Sequence, residues 1–342
     1  MVGSTDRDKV RDRSRFDRAV SLVRYVCSLS GSLALLDDIQ ADAGERGIQR
    51  AIERHDTASL FDWLIEWFSY QGVSDQVARS YMAVNGNATW QALGLAIRPQ
   101  PSCPKLRSYW HYSECRYDKG SRSCAEPEYF EACPVPFFRL RNGRLNQTAF
   151  SFFLFIRDIA DDDLVGWIDE QLGQVAADDP AAAVIEPLRH IYGLSDKVLT
   201  MALSGLLLAA PKGKRGWFEA GASMIAVDTL VHNFLHRTGI LHDCDAEHGY
   251  GAACYRKGGC ADIIRAVAGE IDATAFSRSY PRNFPRFVQH GIWQYCAADG
   301  ANICNGNRID DRLGCQASFC QISQKCQKRP LKIVKKHEIS KV

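Results

Sequence analysis

Residues 225–239 read Ile225-Ala226-Val227-Asp228-Thr229-Leu230-Val231-His232-Asn233-Phe234-Leu235-His236-Arg237-Thr238-Gly239. Val227, Leu230, Val231, Phe234 and Leu235 recur at three and four, the spacing that gathers apolar side chains on one side of an α-helix. Asp228, just ahead of the run, stands where a capping carboxylate belongs. The same period governs Leu60, Trp63, Leu64, Trp67 and Phe68, and again Ile263, Ile264, Val267 and Ile271. No series of alternating residues competes with it, so the expected class is all-α. Outward from this stretch, the pattern predicts helices over 15–37, 46–54, 58–70, 146–158, 161–173, 181–191 and about 195–209. Asp56 or Thr57 is placed to cap the third of these, and Asp161, Asp162 and Asp163 suit the start of the fifth. Gly193 breaks the chain between two helices, and Pro211-Lys212-Gly213-Lys214-Arg215-Gly216 makes a cationic turn. Residues 99–145 interrupt the period with six prolines around Cys103, Cys115, Cys124 and Cys133, and read as an irregular insertion.

The 342 residues are 46% hydrophobic and 24% charged, the balance of a globular chain, which excludes a collagen, a disordered tail and a disulfide mini-protein. The longest apolar runs, near Thr148–Ile156 and Met201–Ala210, are short of the roughly 20 residues of a membrane span, so no membrane partner is expected. Residues 1–8 carry mixed charge and no apolar segment, so the expected location is the cytoplasm. In that reducing compartment thirteen cysteines read as metal ligands or buried thiols rather than disulfides, although no CxxC pair occurs. Besides the insertion's four, they group as Cys244, Cys254 and Cys260, and as Cys296, Cys304, Cys315, Cys320 and Cys326. The net charge of +2 is uneven: residues 321–342 carry net +6 and residues 1–20 net +2, leaving −6 on the body between them. Nucleic-acid binding therefore has to rest on local patches.

Phosphate-loop, GxSxG, HExxH and GxGxxG signatures are absent. An ordered set of helical features stands in their place. The apolar stretch from Leu60 runs to Ser69, Tyr70 and Gln71; then come Tyr192-Gly193-Leu194-Ser195-Asp196-Lys197, the Val227-Asp228-Thr229 step, and Gly291-Ile292-Trp293-Gln294-Tyr295-Cys296 ahead of the last cysteines. In this order, over roughly 57–95 and 146–326, the chain resembles the endonuclease III-type helix-hairpin-helix DNA glycosylases. It departs from them in the hairpin, where Tyr192 and Ser195 replace a usual proline and glycine. It departs also in the 31-position separation of Lys197 and Asp228, in the cysteine spacing, and in the insertion.

The resemblance implies a two-domain helix-hairpin-helix glycosylase-like fold. A barrel domain would span 57–221 with the insertion at 99–145. A second would join 1–56 to 222–342, with a metal loop at 296–326 and the active site between the two. DNA is the implied partner; no protein partner is implied. Asp228 would stabilise the sugar cation left by cleavage of an N-glycosidic bond, and Lys197 would add Schiff-base lyase chemistry. Gln71 would fill the hole left by a flipped base. Gly193, Ser195, Lys212, Lys214, Arg215 and His232 would hold the backbone, and Arg141, Asn146 and Gln147 would line the base pocket or satisfy a buried turn. His232 and His236 also share a helical face suited to metal or phosphate, or to plain packing. Cys304, Cys315, Cys320 and Cys326, with Cys296 as alternative first ligand, would hold a [4Fe–4S] cluster, zinc being the rival. Cys103, Cys115, Cys124 and Cys133 make a second metal site or a set of buried thiols. A non-catalytic nucleic-acid-binding metalloprotein scaffold on the same fold is the alternative to the enzyme.

Overall fold

Helix formation begins where the sequence can satisfy a helix start and bury one face. At Thr57–Phe68 the Asp56 carboxylate accepts the Ser59 N–H at 3.2 Å and the Ser59 hydroxyl at 2.7 Å, so Asp56 is the cap. Behind the cap, Leu60, Phe61, Trp63, Leu64, Ile65 and Phe68 are all buried.

The structure, a computed structural model, describes residues 6–29, 34–73, 75–98, 100–118, 120–138, 143–174, 179–304 and 312–331. In chain order its helices are α1 (Asp6–Cys27), α2 (Leu35–Glu45), α3 (Ile48–Glu53), α4 (Thr57–Phe68), α5 (Asp75–Asn85) and α6 (Trp90–Ile97). There follow α7 (Tyr109–Tyr112), α8 (Gly143–Asp158), α9 (Leu164–Gln174), α10 (Pro180–Leu188) and α11 (Asp196–Leu208). The last are α12 (Arg215–Ser223), α13 (Thr229–Arg237), α14 (Ile240–Asp243), α15 (Cys260–Gly269) and α16 (Pro285–Cys296). Among the described residues there is no strand, only an isolated bridge between Asp118 and Ser123, and the protein is all-α. No helix of these residues is long and apolar enough to cross a membrane.

The chain divides into two units, one of residues up to Asp38 with those from Ala222 onward, the other Ile39–Gly221. In the second unit α4 is central, packing on α3, α6, α8, α9 and α11. Phe61 stacks on Phe152 with centroids 5.3 Å apart, and Phe68 meets the same ring edge-on at 5.2 Å. Residues 39–56 lie in this unit, because the short turn at 54–56 keeps α3 against α4. In the first unit α16 is central, with α1, α13 and α15 around it.

The helix expected over 15–37 is two helices. α1 ends at Cys27 and α2 starts at Leu35; just past α1 the Ser28 hydroxyl donates to the Tyr25 carbonyl at 2.6 Å, the side-chain competition that makes serine poor in helix interiors. The insertion is irregular as expected, built of single 3-10 turns and the four-residue α7. Replacing Asp56 with Ala is expected to cost about 1 kcal/mol and lower Tm by about 2–4 °C, read by thermal unfolding of the full chain.

Candidate functional site

The approach to α13 is held from both sides. Met224, Ile225, Ala226 and Val227 are buried, and the Tyr255 hydroxyl accepts the Val227 N–H at 2.8 Å and donates to the Val227 carbonyl at 3.2 Å. Asp228 then caps α13, its half-buried carboxylate accepting the Val231 N–H at 2.9 Å. The buried Arg286 guanidinium lies within electrostatic reach of it; burial pulls that cation's pKa down to about 10 and the Asp228 charge opposes the pull. The Tyr250 hydroxyl is pushed up by burial first and then by Asp228 and Cys254.

One turn into α13, His232 is buried among ligand-type side chains. His232, His248, Cys254 and Cys260 bring one ligand atom each to within 4.8 Å of all the others, a group that can hold a metal ion. His232 Nδ1 is 3.3 Å from Cys260 Sγ and 3.6 Å from Cys254 Sγ, and His248 Nε2 is 3.3 Å from Cys260 Sγ. His248 Nδ1–H donates to the Ala246 carbonyl at 2.6 Å, which turns Nε2 toward the sulfurs. Cys260 is the first residue of α15, where the helix N-terminus favours a thiolate. The Cys254 thiol is held far below its ordinary range by a hydrogen bond from the Cys260 thiol, with His232, the Gly251 N–H and His248 adding to it. Donating that bond, together with burial, pushes Cys260 up. Gly259 makes the turn between them: a Cβ there would stand 2.3 Å from the Ala253 carbonyl oxygen and 2.8 Å from that of Cys254.

All thirteen cysteines are free. In the C-terminal set, the Cys326 thiol is raised to about 11 by burial, and Cys304, Cys320 and Cys315 are near enough to add to the rise. Cys296 is pushed up by burial and donates to Cys304, which that bond holds on the low side with help from Arg237. Cys320 Sγ lies 3.2 Å from the Tyr295 hydroxyl, and Cys326 Sγ accepts the Lys328 N–H at 3.3 Å. In the insertion, burial raises Cys133 to about 11, with Cys115, Cys103 and Cys124 contributing. Cys115 Sγ accepts from Gln147 Nε2 at 3.8 Å and Cys124 Sγ from the Glu126 N–H at 3.5 Å. The fully buried Tyr112 hydroxyl beside Cys115, Cys133 and Cys103 has no hydrogen-bond partner among the described residues. Both four-cysteine sets gather, but among the described residues neither is drawn as tight as the His232 group.

In the other unit, α10, a turn and α11 make a helical hairpin. Gly193 takes a left-handed φ of 72°, which a side chain would oppose. Gln71 bridges the turn, donating from Nε2 to the Gly193 carbonyl and accepting the Ser195 N–H at 2.9 Å through Oε1. Its amide is engaged in the fold, and a wedge role would require both bonds to open. Lys197 is half-buried in the first turn of α11.

Several expected DNA contacts stand elsewhere. His232 is 5% exposed and faces the thiols, so its ring offers no surface to a phosphate. His236 turns its Nε2 to the Pro330 carbonyl at 3.0 Å and takes no part in the metal group. Asn146 and Gln147, expected at the base pocket, are buried and donate to the Val135 and Tyr117 carbonyls, tying α8 to the insertion. Arg141 lies outside the described residues. In the cationic turn Lys214 pairs with Asp169 at 2.5 Å and Arg215 with Glu219 at 2.8 Å, while Lys212 is exposed.

The His232 group is the part that the sequence reading missed. Its two cysteines are separated by five residues, too wide for a CxxC pattern, and its two histidines by fifteen. The available signal was the glycines at 249, 251, 258 and 259 flanking both cysteines. No protein-family model, curated protein or solved structure matches the chain. Gly259→Ala is expected to cost about 1–3 kcal/mol, since the intruding methyl meets backbone that cannot swing aside; thermal unfolding beside the parent chain measures it.

Proposed function

We propose that the chain is a helix-hairpin-helix DNA glycosylase-like enzyme that cleaves the N-glycosidic bond of a flipped, damaged or modified base. The observation that carries the reading is Asp228, a carboxylate fixed at the start of a helix by its own cap bond and backed by a buried arginine. When the glycosidic bond breaks, its electron pair leaves with the base and positive charge develops at C1′ of the sugar. A carboxylate locked beside that carbon lowers the barrier without reorganising, and water completes hydrolysis there. Lys197, next to the hairpin turn, is the candidate amine for a Schiff base at C1′ and the strand cleavage that follows. Exposed Lys212 is the candidate for a backbone contact.

The C-terminal thiols fit a [4Fe–4S] cluster. Four of Cys296, Cys304, Cys315, Cys320 and Cys326 would hold it, with Cys304 near both Cys296 and Cys326. The hydrogen bonds to Cys320 and Cys326 are those a thiolate ligand accepts. Bound there, a cluster supplies a rigid brace for the loop that follows α16, and four irons per chain.

The second reading is a nucleic-acid-binding scaffold without catalysis, in which the hairpin is not the phosphate contact. The Ser195 N–H of the hairpin is already accepted by Gln71 and is withheld from a phosphate. Asp228→Asn separates the two readings. Asparagine caps a helix as well as aspartate does, so the fold is expected to persist while the charge is lost. Base release from a panel of lesion-bearing duplexes is expected to fall at least a hundredfold; activity at the parental level would remove the catalytic assignment, and binding without release by the parent chain would support the scaffold. Anaerobically purified protein is expected to be brown, with about four irons that Cys320→Ser removes.

A further inference from the structure

We propose that His232, His248, Cys254 and Cys260 bind one zinc ion, and that this ion positions Asp228. A zinc ion bonds thiolate at about 2.3 Å and imidazole at about 2.0 Å, and at tetrahedral angles these lengths put nitrogen and sulfur about 3.5 Å apart. Three of the four nitrogen–sulfur edges of the group are 3.3, 3.6 and 3.3 Å, and the fourth is within 4.8 Å. These separations suit a single ion. A Rieske-type iron–sulfur centre has the same two imidazoles and two thiolates, but places them on different irons and so spreads nitrogen far from sulfur. Two sulfurs and two nitrogens also match the softness of zinc, and four protein ligands leave no open position, the pattern of a structural rather than a hydrolytic ion.

The surroundings are prepared for it. His248 has its outer nitrogen anchored on the Ala246 carbonyl, and Cys260 has the α15 N-terminus behind it. Gly259 permits a turn that no larger residue would fit.

The positioning role follows from where the ligands stand in the chain. His232 is four residues beyond Asp228 on the first turn of α13, and Cys254 directly precedes Tyr255, whose hydroxyl grips both polar groups of Val227. Tyr250, which faces the Asp228 charge, packs on the His232 ring with centroids 5.9 Å apart. Zinc therefore clamps residues on both sides of Asp228 into one rigid piece. Only the consequence for Asp228 chemistry rests on the proposed function; zinc binding stands without it.

The test uses the full chain as purified. One zinc per chain is expected by elemental analysis, lost in Cys254→Ser and in Cys260→Ser while iron content stays at the parental value. Cobalt substituted into the parent protein, which involves no variant that might misfold, is expected to give the visible d–d bands and near-ultraviolet thiolate absorption of a tetrahedral site. Absence of zinc and of a tetrahedral cobalt spectrum, or zinc retained by both variants, would overturn the site. For the positioning role, amide exchange over residues 225–232 is expected to accelerate at least tenfold in Cys260→Ser. Exchange unchanged in that segment would remove the role and leave the ion. A chain that binds zinc as described but releases no base would instead fail the proposed function alone.

Discussion

Burying α13 with a carboxylate at one end and an arginine at the other is the constraint on which the first unit depends. The apolar face, Val231, Phe234 and Leu235, drives the helix inward, and the hydrophobic gain does not by itself tolerate charge there. The Asp228 carboxylate and the backbone carbonyls that end the helix are therefore supplied with partners. At the start, Asp228 meets its own helix amides and stands within reach of Arg286, and the loop of Tyr250 to Cys260 closes over the first turn. At the end, the Arg237 carbonyl accepts the Arg329 N–H at 2.9 Å, and the Thr238 carbonyl accepts the Gln327 N–H at 3.2 Å and Arg18 Nη1 at 3.0 Å. One nine-residue helix thus joins the His232 group to the segment of the last cysteines.

That arrangement gives the sulfur chemistry its order. Cysteine at such density in buried positions carries a penalty, because each thiolate is desolvated and stands beside others. Burial raises Cys133 and Cys326 to about 11, a cost that metal binding removes by neutralising the charge. The sites differ in tightness. The group with two imidazoles is close enough for a single ion, while the all-sulfur groups gather more loosely. The insertion is joined to the helical body through Asn146 and Gln147 of α8, and Gln147 bonds Cys115 directly, so its cysteine set is continuous with the core of the second unit.

The hairpin shows how a single polar residue changes what a turn offers. Gly193 turns the backbone, the Leu194 N–H bonds the Ile191 carbonyl at 3.3 Å, and Gln71 reaches across from beyond the end of α4 and accepts the Ser195 N–H. The Thr148 hydroxyl donates to the Tyr192 carbonyl at 2.7 Å, and the Ser151 hydroxyl accepts the Tyr192 N–H at 3.0 Å. Three side chains, Gln71 and two from α8, thus fix this turn. The bonds that hold it come from inside the unit.

Periodicity alone determined the helical class, most helix positions and the irregularity of 99–145, since burying one face of a helix leaves a record at every third and fourth residue. It determined Asp228 as a cap as well, because capping is settled within three residues. The break between α1 and α2 was hidden by the apolar residues on both sides of it. Tertiary structure alone decided which cysteines and histidines meet. His232 and Cys260 are 28 residues apart, and nothing local distinguishes His232, which enters the group, from His236 one turn on, which bonds a carbonyl near the C-terminal end. It likewise turned Gln71, Asn146 and Gln147 from free amides into internal ties. Such choices depend on which long-range partner fills each direction around a side chain, and spacing along the chain carries no record of that.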